Sequence, residues 1–179
     1  MHQHLDKILL SEEQLQSKVR ELGARISSDY QDKNLVVLGI LKGAVVFLAD
    51  LIREIKVPLE LDFMAVSSYG MSTHASGVVR ILKDLEWDIV GKDVLIIEDI
   101  VDTGLTLSYL KENLRARNPA SLKICTLLDK PDRRKVPILP DYKGYNIPDE
   151  FVVGYGLDYG ERYRNLPYIG VLKPEYYQD

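Results

Sequence analysis

One cysteine, one tryptophan and three histidines in 179 residues deny this chain the side chains for several chemistries. The single thiol, Cys125, makes no internal disulfide, and its setting in the apolar run "SLKICTLL" predicts a small buried hydrophobe. His2 and His4 stand in a terminal segment expected to fray, and His74 is isolated in a loop, so no histidine is expected to ligate a metal. No apolar run approaches the roughly 18 residues that cross a bilayer. Asp6, Lys7, Glu12 and Glu13 surround the short N-terminal apolar run, which argues against a signal peptide. Positive charge is in deficit, with 23 Lys and Arg against 27 Asp and Glu, a net charge of -4. That balance offers no attraction to nucleic acid or to an anionic membrane and favours a cytoplasmic protein acting on small molecules.

Two glycine motifs for phosphate are missing as well. "GKD" at 91–93 has Glu86 where a Walker loop requires its first glycine. "GYGLDYG" at 154–160 has Tyr159 at the third glycine position of a dinucleotide fingerprint, with too little chain beyond it for the required unit.

What is present is an ordinary globular balance, 46% apolar and 28% charged residues, in a length that fits one domain. Ser11 and Gln14 have capping-box spacing, and Leu15, Val19, Leu22 and Ile26 recur at helical intervals behind them. "LVVLGI" reads as a strand, "GAVVFLADLIREI" as a helix and "LELDFMAV" as a strand. "SSYGMSTHASGVV" is aperiodic and rich in small residues, which predicts a long functional loop. "GKDVLIIEDI" reads as a central strand, "TLSYLKENLRAR" as a helix ended before Asn118 and Pro119, and "SLKICTLL" as another strand. Strands alternating with helices predict an α/β fold with a parallel sheet. From Lys130 the chain turns proline- and charge-rich, and short strands "FVVG" and "YIGVL" follow, a pattern that suits a small cap over the loop end of the sheet.

The informative stretch is "VLIIEDIVDTGLT", residues 94–106. Four apolar residues suit a strand covered on both faces, and the chain then becomes acidic where parallel strands open onto a crevice. Thr103, Gly104 and Thr106 can aim N–H groups and hydroxyls at a phosphate, with the start of a helix just beyond. Glu98 and Asp99 beside a phosphate make sense if they bind sugar hydroxyls or hydrated Mg²⁺. The plain alternative is an acidic strand end that caps a helix through Asp102.

This stretch resembles the phosphoribosyl pyrophosphate (PRPP) motif of the type I phosphoribosyltransferases. The similarity runs over nearly the whole chain and is closest to the bacterial hypoxanthine-guanine branch. "LKGA" at 41–44 resembles the family's pyrophosphate loop, "SSYG" at 67–70 the opening of its lid, and "FVVGYGLDYGERYRNLPYIGVL" its purine-binding hood. Leu105 stands where some members carry lysine in the phosphate turn. The resemblance implies a core of about 11–130, with a hood of about 131–179 joined by the N-terminal segment. It also implies transfer of the phosphoribosyl group to N9 of hypoxanthine or guanine, giving IMP or GMP and pyrophosphate, in a homodimer or homotetramer.

Residue by residue, the resemblance makes Asp102 the base that shares a proton with purine N7. Asp102 through Thr106, Leu105 included, become the phosphate turn, and Glu98 and Asp99 the ribose- and Mg²⁺-associated pair. Lys42, Gly43 and Arg164 would receive pyrophosphate, with Asp158 at a second Mg²⁺ and beside the base. Ser68 and Tyr69 would belong to the lid, Phe151 would stack on the purine, Val152 would offer backbone groups, and Lys130 would donate to the 6-oxo group. Two rivals remain, a nucleic-acid-binding regulator with the same fold and a transferase preferring xanthine. Scattered lysines and arginines and the acidic balance speak against the first.

Overall fold

Nine strands and three α-helices make up the regular structure of residues 1–68 and 79–177, the part described by the computed structural model. In chain order they are β1 (Leu5–Leu10), α1 (Glu12–Asp29), β2 (Leu35–Leu41), α2 (Val45–Glu54), β3 (Leu59–Ser68), β4 (Val79–Lys83) and β5 (Asp93–Val101). Then come α3 (Leu105–Arg115), β6 (Ser121–Asp129), β7 (Tyr142–Asn146), β8 (Val152–Val153) and β9 (Ile169–Leu172).

The main sheet has the order β4-β3-β2-β5-β6-β7, parallel throughout except for the antiparallel β3–β4 pair. Its central strands are apolar on both faces because helices cover both faces. In β5, Leu95 and Ile97 pack with Leu15, Leu22, Phe47 and Leu51 of α1 and α2, while Val94 and Ile96 pack with Leu107, Leu110 and Leu114 of α3. This period of two decides where the residues after the apolar run point. The capping box at the start of α1 forms as its spacing predicts: the Ser11 hydroxyl accepts from Gln14 N–H at 3.3 Å and Gln14 Oε1 from Ser11 N–H at 2.8 Å. Cys125 is fully buried in the core, and burial pushes its thiol pKa up.

A second sheet, β1-β9-β8, is antiparallel and packs its own cluster of Leu5, Val153, Tyr163, Leu166, Tyr168 and Leu172. The N-terminal segment is therefore ordered rather than frayed. β1 pairs along β9, His4 Nδ1 lies 2.8 Å from the Tyr163 hydroxyl, and His2 bonds Tyr168. Pairing partners more than a hundred positions away hold it, and local pattern carries no trace of them.

Two further expectations change. Ser67 continues β3 and pairs with Arg80, and Ser68 pairs with Val79, so the loop expected over 67–79 is shorter at both ends. "VRILK" alternates in burial as an edge strand does, a short signal hidden by the aperiodic residues before it. Tyr69 and residues 70–78, on which the rest of the lid expectation falls, lie outside the described residues, and Ser68 is described through its backbone only. Tyr142–Asn146, expected within the hood, instead extends the main sheet as β7, parallel to β6.

Candidate active site

The chain leaves β2 through α2 toward β3 on one side of the sheet and leaves β5 through α3 toward β6 on the other. The carboxyl ends of β2 and β5 therefore flank the point where strand order reverses, and a crevice opens there. Both sequence motifs, Lys42-Gly43 and Glu98–Thr106, fall at this place.

Alternation along β5 separates the two acids that the sequence sets side by side. Glu98 continues the Val94–Ile96 face and lines the cavity of the Thr103–Gly104 turn. Asp99 continues the Leu95–Ile97 face and meets the loop after β2, where a Cβ on Gly43 would collide with its carboxylate. Glycine is required at 43 for this close approach, and the Leu41–Lys42 peptide before it is cis. The pair thus serves two sides of the crevice rather than one.

Burial raises the pKa of Glu98 well above the usual carboxylate range, and the charge of Asp99 adds to it. Burial pushes Asp99 up to about 6; the backbone N–H of Ile100 and the Arg164 guanidinium oppose the rise, and Asp158 reinforces it. Two desolvated carboxylates short of positive charge suit a divalent cation. Among the described residues no group of three or more His, Cys, Asp and Glu forms a cage. A cation here would therefore rest on one or two carboxylates and on oxygens of water and ligand, the mode Mg²⁺ favours.

A stability prediction follows. Folding lifts the Asp99 pKa from 3.8 to about 6, so the folded chain binds more protons between those values. The contribution is fully present below about pH 4 and is lost as pH rises through 6. In chelator, Asp99→Asn removes this loss and raises the melting temperature at pH 7.5 by about 2–4 °C per kcal/mol recovered. Thermal melts of parent and variant that stay parallel from pH 4 to 8 would contradict it.

At the end of β5, Gly104 adopts φ +82° and caps α3 without a side chain, leaving the first-turn N–H groups to a ligand. The turn encloses a cavity of about 110 Å³ lined by Glu98, Asp102, Thr103, Gly104 and Thr106. Leu105 is exposed, and its N–H lies 3.4 Å from Thr103 Oγ1. The segment after β6 buttresses the turn from behind. Lys135 N–H donates to Thr103 O at 2.9 Å, Arg134 Nε donates to Asp102 O at 3.1 Å, and Arg134 also pairs with buried Asp129.

Beside the turn lies a larger cavity of about 400 Å³, lined by Asp102, Lys130, Arg133, Phe151, Val152 and Tyr177, among others. Its volume falls in the range of small-molecule sites. Lys130 is only 8% exposed; its Nζ donates to Glu150 O at 2.7 Å and lies 3.5 Å from Asp149 Oδ1. Phe151 stacks on Tyr177 with centroids 4.6 Å apart. On the far side of the crevice, Arg164 lies 3.0 Å from Asp158 Oδ1 and 3.3 Å from Glu161, whose Oε2 also meets Lys42 Nζ at 3.1 Å. Arg164 Nε is buried and has no hydrogen-bond partner among the described residues, a donor free for an anion.

The structure thus brings together Glu98, Asp99, Asp102–Thr106, Lys42, Gly43, Asp158 and Arg164 around one crevice, with Lys130, Phe151 and Val152 lining the larger cavity beside it. Sequence reasoning missed Arg133, Arg134, Asp149, Glu161 and Tyr177. The one signal for the first two was the density of charge in "DKPDRRK" immediately after a buried strand.

Comparison with known proteins matches residues 7–160 to the phosphoribosyl transferase domain model. The chain is 60% identical over 178 residues to the hypoxanthine-guanine phosphoribosyltransferase of Bacillus subtilis, covering 99% of each protein. It is 56% identical over 180 residues to the enzyme of that name from Mycobacterium bovis, covering 97% of this chain and 89% of the relative. A crystal structure of a hypoxanthine phosphoribosyltransferase from Staphylococcus aureus superposes with a TM-score of 0.97 at 57% identity, over 100% of this chain and 97% of that one. With the domain model spanning most of the chain and relatives of 56–60% identity aligned over nearly its full length, this protein belongs to the phosphoribosyl transferase family.

Proposed function

We propose that the protein transfers the 5-phosphoribosyl group of PRPP to N9 of hypoxanthine or guanine, releasing pyrophosphate and forming IMP or GMP. The observation that carries this reading is the placement of Asp102, which lines both the phosphate-turn cavity and the cavity walled by Lys130 and Phe151. A base held by Lys130 and Phe151 and a ribose whose 5-phosphate sits in the turn meet at that carboxylate.

The 5-phosphate rests on the backbone of Asp102–Thr106 and the start of α3, where free N–H groups and the helix dipole favour an anion. Glu98 on this side and Asp99 on the other accept the ribose hydroxyls, and their negative charge suits the cationic character that develops at C1. Asp102 takes up the proton associated with purine N7 as the new bond forms. Lys130 donates to the 6-oxo group, Val152 contributes backbone groups, and Phe151 supports the ring face. Pyrophosphate leaves toward Lys42, the Gly43 loop and Arg164, whose guanidinium fork matches phosphate oxygens. Glu98 or Asp99 at the ribose and Asp158 at the pyrophosphate would each hold Mg²⁺ together with ligand oxygens, and the ion would supply neutralising charge to the polyphosphate. Ser68 and Tyr69 complete the reading as part of a lid over this centre.

We further propose a cytoplasmic homodimer or homotetramer organised as a core and a hood. No helix among the described residues is long and apolar enough to cross a membrane. The direct test is a nucleobase panel with PRPP and Mg²⁺, read as pyrophosphate release. Turnover with hypoxanthine and guanine supports the reading. Turnover confined to xanthine, or none with any base, overturns it.

A further inference from the structure

Arg133 bridges two carboxylates at the wall of the larger cavity. Its Nε lies 2.6 Å from Asp102 Oδ1, and its Nη1 lies 3.2 Å from Asp149 Oδ1. Among the described residues it is the one cationic side chain within 4.0 Å of the Asp102 carboxylate. The backbone fixes its origin: Pro131–Arg133 forms a single 3₁₀ turn after β6, and Arg133 N–H donates to Lys130 O at 3.1 Å. The adjacent arginine takes the other end of the same residue, since Arg134 Nε donates to Asp102 O. Asp102 is thus held at its carbonyl by a hydrogen bond from Arg134, while its Oδ1, buried and without a hydrogen-bond partner among the described residues, meets the charge of Arg133.

We propose that Arg133 is a positioning residue for Asp102. Its guanidinium charge lies against Oδ1 and so directs the carboxylate, leaving Oδ2 to the incoming base. The proposal rests on the reading of Asp102 as the general base and deepens it. The other charged groups around this carboxylate are Arg134 behind it, Glu98 on the strand that precedes it, and Lys130, Asp149 and Glu150 across the cavity. Arg133 and Asp102 are each 42% exposed, so solvent screens the pair and its effect is moderate rather than large. A fork that contacts Asp102 through Nε and Asp149 through Nη1 also fixes direction, which a lysine ammonium does not.

The test is the pH profile of kcat/KM for hypoxanthine, at saturating PRPP and Mg²⁺, for the parent, Arg133→Gln and Arg133→Lys. Arg133→Gln is expected to move the acid limb up by about 0.5–1 pH, with activity near pH 6 down roughly 3- to 10-fold and KM for PRPP within about a factor of two. Arg133→Lys restores the limb toward the parent, because charge returns, but only part of the plateau rate, because the fork does not. A second readout is independent of turnover: in the ligand-free protein, the ¹³C titration of the Asp102 carboxyl, assigned by its loss in Asp102→Asn, moves in the same direction in Arg133→Gln. A profile and a carboxyl titration that superpose on those of the parent would overturn the role of Arg133 while leaving the transferase reading intact. A parent without turnover on any base would overturn both.

Discussion

Asp102→Asn lowers kcat for hypoxanthine and guanine by about 10²- to 10⁴-fold, the range that a positioned proton transfer contributes, and leaves PRPP affinity within a few fold. The two halves of this expectation have different structural origins. The turn is built from backbone: Gly104 at φ +82°, Lys135 N–H on Thr103 O and Arg134 on Asp102 O all survive the substitution. Asparagine keeps the volume and an oxygen but has no basicity. The loss should therefore appear in kcat and equally in kcat/KM for the purine, the mark of an interaction made in the transition state. Calorimetry of PRPP with Mg²⁺ beside steady-state rates checks both. A variant with parental turnover would remove Asp102 from the mechanism, and one that no longer binds PRPP would make it a binding residue instead.

Lys130→Ala lowers kcat/KM for hypoxanthine and guanine by roughly 10- to 100-fold, the cost of leaving a polar group without its charged partner, and narrows their advantage over adenine. Lys130 has three N–H donors and no acceptor. Glu150 O takes one donor at 2.7 Å and Asp149 attracts a second at 3.5 Å, which leaves one for the cavity. A 6-oxo purine accepts it, whereas a 6-amino purine presents another donor, so the parent should use adenine very poorly. PRPP binding should change little, because Lys130 lies on the hood side and the phosphate turn keeps its own contacts. Rates for the three bases on parent and variant decide the matter, and an unaltered ratio of hypoxanthine to adenine refutes the role.

Much of this site could be read from the chain because its parts are local. The strand, the acids and the Thr-Gly turn of residues 94–106 are contiguous, and period-two alternation within β5 fixes which way each acid points. That alternation also shows what was read too coarsely. Glu98 and Asp99 look like one unit in the sequence, yet adjacent strand residues face opposite sides, one toward the turn and one toward Gly43. Features that depend on distant partners left weaker marks. The strand character of Leu5–Leu10 rests on β9, that of Tyr142–Asn146 on β6, and that of Val79–Lys83 on β3. Arg133 and Arg134 showed nothing beyond local charge density, because the carbonyl and carboxylate they meet belong to a turn some thirty positions earlier.

The hood sheet sets an order of assembly during synthesis. β1 leaves the ribosome before the core strands, but its partner β9 emerges after them, and contacts such as His2 with Tyr168 close across 166 positions. The parallel core from β2 to β6, with its phosphate turn, has all its strands available before then, since chains fold from the N-terminal side as they are made. Joining β1 to β9 bears the closure entropy of the longest loop in the molecule. On the proposed reading, the growing protein therefore acquires a place for phosphate before it acquires a wall for the purine, and base selectivity follows phosphate binding.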